Sequence, residues 1–251
     1  MKMTALITGA TSGIGKATAR IFAEQGKKLI LCGRREALLK SLANELSQKT
    51  EVHTLVFDVR KFEEVEKAIN SIPKDFSTIN ILVNSAGNAH GLDLLEDASI
   101  EDLDAMIDGN VQGLLYVSKL IIPRLKAQKS GHIVNISSIA ALRTYRNGIA
   151  YSASKRAVDG ISEGMRAELT EFGIKVTNIR PGAVATEFSE VRFKGDKARA
   201  AAVYEGYEAL LAEDIADVIS YCVNLPNRVS ISDLTIYPKA QLEAQTIYKT
   251  L

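Results

Sequence analysis

Cysteine is scarce in this chain of 251 residues: Cys32 and Cys222 are the only two. A pair is too few for a disulfide framework, and its spacing matches no metal-ligand pattern. A reducing, cytoplasmic setting suits it best. Charge of one sign is also lacking, with 31 Lys+Arg against 30 Asp+Glu and a formal net charge of +1. No Lys/Arg-rich run stands out, so nothing suggests a nucleic-acid or other polyanionic partner. Long hydrophobic runs are absent too. The opening MKMTALITGATSGIG has only a short apolar core before its glycines, too short for a signal peptide or a membrane span. There is no internal repeat, low-complexity tract or linker, and the three histidines are scattered. What remains, 46% hydrophobic and 24% charged residues, is ordinary for a globular protein.

Short β-branched apolar runs recur along the chain: TALIT (4–8), KLILC (28–32), VHTLVF (52–57), INILVN (79–84), HIVNIS (132–137), KVTNIR (175–180) and DLTIY (233–237). They do not alternate strictly, as expected of strands buried on both faces. Between them lie helical periodicities at 16–25, 35–47, 62–72, 101–125, 151–172 and 212–223. Strand alternating with helix means βαβ units, a parallel sheet and right-handed crossovers. Seven strands consume the whole chain, so the expectation is one doubly wound α/β domain over 1–251.

TGATSGIG (8–15) follows the first strand and opens the first helix. Gly9 permits a sharp turn, and Gly13 and Gly15 let backbone N–H groups approach a ligand. The positive helix end then faces an anion such as a pyrophosphate, with Thr11, Ser12 and Ile14 in the same turn. Such a turn could be no more than a strand-to-helix connection, but its βαβ context favours a nucleotide. After the second strand comes CGRRE. An NAD-specific site commonly has an acid here; Gly33 leaves room instead, and Arg34 and Arg35 offer guanidinium groups suited to a phosphate. NADP is therefore the expected cofactor. Asp58 and Val59, in FDVR at the end of the third strand, fall where an adenine edge would lie.

Tyr151 and Lys155, in AYSASKRAV, stand four residues apart, on one face of a helix. An isolated pair of this kind is usually a surface tyrosine beside a solvated lysine. A nearby cation, however, favours the phenolate and makes tyrosine a usable general acid/base.

TGATSGIG, NSAG (84–87), Asn110, Ser137–Ser138, Tyr151 with Lys155, and PGAVAT (181–186) occur in one order. In this the chain resembles the short-chain dehydrogenase/reductase family over essentially its full length, with NSAG in place of the usual NNAG. The resemblance implies a Rossmann fold and an NADP-dependent oxidoreductase acting on CH–OH donors. It makes Tyr151 the proton donor and Lys155 the group that lowers its pKa and bonds the ribose. Ser138 becomes the oxyanion donor, chosen over Ser137 because the family's serine stands about thirteen residues before its tyrosine. Asn110 would hold a water in a proton relay. Asn84, Ala86, Gly87, Pro181, Gly182, Val184 and Thr186 would contact the cofactor. More narrowly, GRR, EFSEVRFKGD (187–196) and NLPNRVSISDLTIYP (224–238) resemble the NADP-dependent 3-hydroxy acid dehydrogenases, which act on serine, allo-threonine and related acids. The loop ALRTYRNGIA (141–150) departs from that group.

Arg192, in the segment expected to close over the pocket as a lid, is the candidate for a substrate carboxylate, with Arg143 and Arg146 as alternatives. Arg192 could instead pair with Glu187, Glu190 or Asp196 and only order the lid. His53, His90 and His132 read as structural, with a substrate contact as the lesser alternative for His90, just after NSAGNA. The resemblance also implies a homotetramer that pairs helices around 99–128 and 149–172 between subunits. The alternatives to a hydroxy acid dehydrogenase are a general carbonyl/ketone reductase, a non-catalytic NADP-binding sensor and an oligomer-forming scaffold.

Overall fold

A computed structural model describes residues 2–249; residues 1, 250 and 251 of the expected 1–251 domain lie outside the described residues. The central sheet comprises β1 (Thr4–Thr8), β2 (Lys28–Gly33), β3 (Val52–Val56), β4 (Ile81–Asn84), β5 (Gly131–Ile136), β6 (Ile174–Pro181) and β9 (Asp233–Ile236). All seven are parallel, in the order β3-β2-β1-β4-β5-β6-β9. This is the doubly wound α/β architecture expected from the alternation of strands and helices. β1 and β4 are buried along their whole length, which is why their sequences do not alternate polar with apolar residues.

One face of the sheet packs against α1 (Gly13–Glu24), α2 (Glu36–Leu46) and α9 (Ala212–Asn224) through Phe22, Leu39, Leu42, Ile215 and Ile219. The other face is covered by α3 (Phe62–Asn70), α5 (Gly113–Gln128) and α6 (Ile149–Leu169) through Val65, Ile69, Val117, Ile121, Val158 and Leu169. No helix among the described residues is long and apolar enough to cross a membrane.

The strand order reverses direction between β1 and β4, and at such a switch point a crevice opens beyond the carboxyl ends of the strands. Every connection that builds this crevice leaves the C-terminal end of a strand. The helix expected over 101–125 is broken there: α4 (Ile100–Ile107) and α5 are joined by a π-helical turn, Asp108–Gln112. A small second sheet also appears, β7 (Val184–Ala185) pairing with β8 (Leu210–Leu211). Between these two strands run the short helices α7 (Phe188–Arg192) and α8 (Lys197–Ala202). Four contacts dock this excursion. The Gly91 N–H donates to Arg192 O, Lys194 pairs with the largely buried Asp102 at 2.8 Å, Glu187 pairs with Arg35 at 2.8 Å, and Arg192 hydrogen-bonds Tyr145.

Candidate active site

The glycine turn between β1 and α1 forms the floor of the crevice. Gly9 has φ +66° and Gly13 φ +48°, a region that disfavours any side chain. A Cβ on Gly9 would lie 2.9 Å from the Ala86 backbone, and one on Gly13 would lie 3.3 Å from Thr186. The turn is thus pressed between the β4 exit and the β7 exit. Thr8 Oγ1 ties the first contact by accepting the N–H groups of Ser85 and Ala86. A diphosphate lying across the N-terminus of α1 would meet backbone donors and a favourable helix dipole, so the residues present fit a dinucleotide.

The crevice has two chambers. One is lined by Gly9, Thr11, Ser12, Arg34, Arg35, Asp58, Val59, Ala86 and Gly87, and also by Arg60 and Glu187, which sequence reasoning missed. Arg60 donates to both Asp58 carboxylate oxygens, through Nε at 3.1 and 3.0 Å and Nη2 at 2.6 Å. Burial opposes ionisation of Asp58, but its hydrogen bonds from Arg60 hold the carboxyl below its ordinary value. Arg35 donates to Thr11 Oγ1 and to Glu187. Among the described residues Arg34 has one ion-pair partner, Asp58 at 3.5 Å, and its side chain is 61% exposed.

The second chamber is lined by Ser12, Gly13, Ile14, Gly87, Ser138, Tyr151, Lys155, Pro181, Gly182, Val184 and Thr186, with Phe188 and Val191 as additions from the covering segment. Gly15 is buried behind the turn. Asn84 does not line either chamber. Its amide lies within the sheet, donating to Ser118 and Asn135, so the side chain knits β4 to β5 and faces away from the crevice.

Tyr151 and Lys155 sit on the first turns of α6, both buried. Lys155 Nζ donates to Ile136 O at 3.0 Å and lies 5.9 Å from the tyrosine ring centroid. Burial lowers the ammonium to about 8, against the pull of Asp159. The sequence expectation that Lys155 lowers the tyrosine pKa is not what this arrangement produces. Burial pushes the phenol up to about 12, against a hydrogen bond from Ser138 and the charge of Arg192. Ser138 faces the phenol, whereas Ser137 turns back to α6, donating to Asp159 at 2.7 Å and to Lys155 O at 3.1 Å.

Asn110 lies in the π-helical turn, a feature frequent at functional sites. Its amide accepts from Asn88 N and donates to Asn88 O and Ser154 Oγ. These protein partners engage it and fix the backbone beside Gly87 and Lys155. A Cβ on Gly87 would lie 2.9 Å from Asn110 Oδ1 and 3.3 Å from Lys155 Nζ, so the three converge.

Arg192 is enclosed by rings, its guanidinium carbon 5.1 Å from the Tyr151 centroid, 5.7 Å from Phe188 and 5.8 Å from Tyr145. Its Nε is buried without a hydrogen-bond partner. Among the described residues no carboxylate pairs with it: Glu187 is taken by Arg35, and Asp196 caps α8. Arg143 and Arg146 do not reach the site. The first is surface-exposed and pairs with Glu243, the second is exposed, and neither lines the crevice. His90 lines a side cavity beyond Tyr151 together with Arg192. His132 is buried against Thr177, and His53 stacks on Phe76.

Residues 3–197 match the family described as short chain dehydrogenase. This chain belongs to that family. Among the relatives of this short-chain dehydrogenase, sulfoacetaldehyde reductase 2 of Chromohalobacter salexigens is 42% identical over 237 residues, covering 94% of each chain. The NADP-dependent 3-hydroxy acid dehydrogenase YdfG of Escherichia coli is 39% identical over 240 residues, 95% of this chain and 96% of that one. A solved structure, the closed form of serine dehydrogenase complexed with NADP+, superposes with a TM-score of 0.93 at 38% identity, covering 99% of this chain and 100% of the other.

Proposed function

We propose that this short-chain dehydrogenase uses NADP(H) to interconvert a small hydroxy acid, of the 3-hydroxy acid, serine or allo-threonine type, with its carbonyl form. When bound, NADPH supplies the hydride that forms the new C–H bond. The chain's own residues do the rest. Tyr151, neutral and buried, donates its proton to the carbonyl oxygen as the C–O π bond breaks. Ser138 donates a hydrogen bond to the same oxygen as negative charge gathers there. Lys155 places a cation one turn along α6, where ribose hydroxyls would lie, and Asn110 holds the backbone around it. Arg34, with Arg35 beside it, would hold the adenosine 2′-phosphate.

The observation that carries the acid reading is Arg192, a guanidinium beside the proton donor with no acidic partner and one unsatisfied N–H. A planar fork of this kind suits a carboxylate or a sulfonate. The names of the relatives agree, since 3-hydroxy acids, serine and sulfoacetaldehyde are all anions or carry an acid group. Retention of Ser138, Tyr151, Lys155 and Asn110 in one constellation favours an enzyme over a cofactor sensor or a scaffold.

The test is NADPH consumption across small aldehydes, 3-oxo acids and sulfonated aldehydes, with NADP reduction across 3-hydroxy acids. Arg192→Ala should cost far more with acids than with uncharged substrates of similar size. Equal losses on both would leave a general carbonyl reductase.

The same reading includes a cytoplasmic homotetramer. Its support is a set of exposed apolar side chains on α4, α5 and α6, namely Ile100, Ile107, Leu115 and Ile149, on the helices that the family resemblance pairs between subunits.

A further inference from the structure

The adenosine chamber holds three guanidinium groups, those of Arg34, Arg35 and Arg60, and two carboxylates, those of Asp58 and Glu187. The pairing among them is unequal. Arg35 is committed to Glu187 and Thr11, with contacts of 2.8 to 3.1 Å. Arg60 takes both oxygens of Asp58 through its side chain, and its backbone N–H adds a third donor to Oδ1 at 3.1 Å. Asp58 is nearly buried, only 9% exposed, so its charge needs a close partner. Arg34 is left with a single 3.5 Å contact, to the Asp58 oxygen that Arg60 already holds at 2.6 Å.

We propose that Arg60 is a positioning residue for cofactor choice: by satisfying Asp58 it keeps Arg34 available for the adenosine 2′-phosphate. The inference rests on the NADP reading above and adds a residue to it. Asp58 lies within reach of Arg34, at 3.5 Å, and competes for it. Without Arg60, a nearly buried carboxylate would draw Arg34 in and form the pair itself. A 2′-phosphate would then have to break that pair before binding. The backbone N–H of Asp58 is separately anchored by Glu64 at 3.0 Å, so the main chain at Asp58 keeps a hold of its own when Arg60 is removed. Arg60 thus acts through Asp58 and Arg34, without itself touching the phosphate.

The experiment measures affinity, not turnover. Adenosine 2′,5′-bisphosphate and 5′-AMP are titrated by calorimetry into the wild type, Arg60→Gln, Asp58→Asn and the double variant Asp58→Asn/Arg60→Gln. The readout is the ratio of the two affinities, in which any general weakening of the adenosine site cancels. Arg60→Gln should lower the preference for the bisphosphate by roughly tenfold, at the low end of the strength of a charged hydrogen bond. The double variant should restore it, because the competing carboxylate is gone, and Asp58→Asn alone should keep at least the wild-type ratio. A ratio unchanged in Arg60→Gln overturns the proposal. So does a loss that the double variant fails to restore, since Arg60 would then be contacting the phosphate directly. Failure of the wild type to prefer the bisphosphate would instead refute the NADP reading itself, before Arg60 is in question.

Discussion

Withdrawn from water on α6, the Tyr151 phenol rises to about 12 while the Lys155 ammonium falls to about 8, so at neutral pH the first is an intact O–H donor and the second a cation. Both states suit carbonyl reduction. Tyr151→Phe keeps the ring packed against Phe188 and removes only the proton. Turnover should fall by roughly a hundred- to ten-thousand-fold, with NADPH affinity by fluorescence titration nearly unchanged; retention of a tenth of the rate would take Tyr151 out of the mechanism. The lysine sets a pH limit. Because its folded pKa is depressed below the ordinary 10.5, its charge is complete well below pH 8 and disappears as pH rises through that value. The kcat/KM for NADPH-dependent reduction should be level near neutrality and fall above about pH 8; a profile flat to pH 10 would show that the charge is not needed. The spacing of Tyr151 and Lys155 was legible in the sequence, but the direction of the tyrosine shift was not. Spacing says which groups share a helix face, whereas the sign is set by burial, which prevails over the opposing charge of Arg192, 41 positions away in the chain.

The inner strands were legible because burial on both faces leaves an apolar run, as in β1 and β4, and their parallel direction followed from the helices between them. The π-helical turn that splits 101–125 was not. A π-turn keeps the helical period on either side, so EDLDAMI and GLLYVSKL read as one helix, and the hydrogen bonds between Asn110 in the turn and Asn88 appear only in the fold. The β7–β8 pair is two residues per strand, too short to have a period at all. Asn84 looked like a cofactor ligand for a similar reason: the motif gives its position at the strand end but not which way the side chain points. Another polar side chain between strands carries a stability consequence. His132 on β5, bonded to Thr177 on β6 at 2.7 Å, is held down to about 4 by burial, with Lys175 adding to the effect. The unfolded chain binds its proton near 6.5, so stability is full above that value and declines as pH falls from about 6.5 toward 4. The loss amounts to about 3 kcal/mol at most. Denaturant titrations of His132→Gln should show a shallower decline over this window, and slopes equal to wild type would rule the histidine out as its source.

The molecule as a whole is built on one large central sheet with the crevice at one end, and its outer helices present apolar side chains to solvent, Ile100 at 65% and Leu115 at 41% exposure. Multi-angle light scattering should give about four times the 27.3 kDa protomer mass, and Leu115→Glu should lower it; a wild-type particle of protomer mass would leave those side chains without an explanation in assembly. The strand order has a consequence for the nascent chain as well. β1 acquires β2 almost at once, but its other neighbour, β4, begins 76 positions downstream, where Ala5 meets Ile81. At ribosomal speeds of about 5–20 residues per second, that edge waits for roughly 4 to 15 seconds. Throughout the wait Ala5, Leu6 and Ile7 present open hydrogen-bonding groups and apolar side chains on both faces, the properties that make a strand edge prone to pair with the wrong partner. The segment that later carries the phosphate turn is therefore the part of this chain most in need of protection while it is being made.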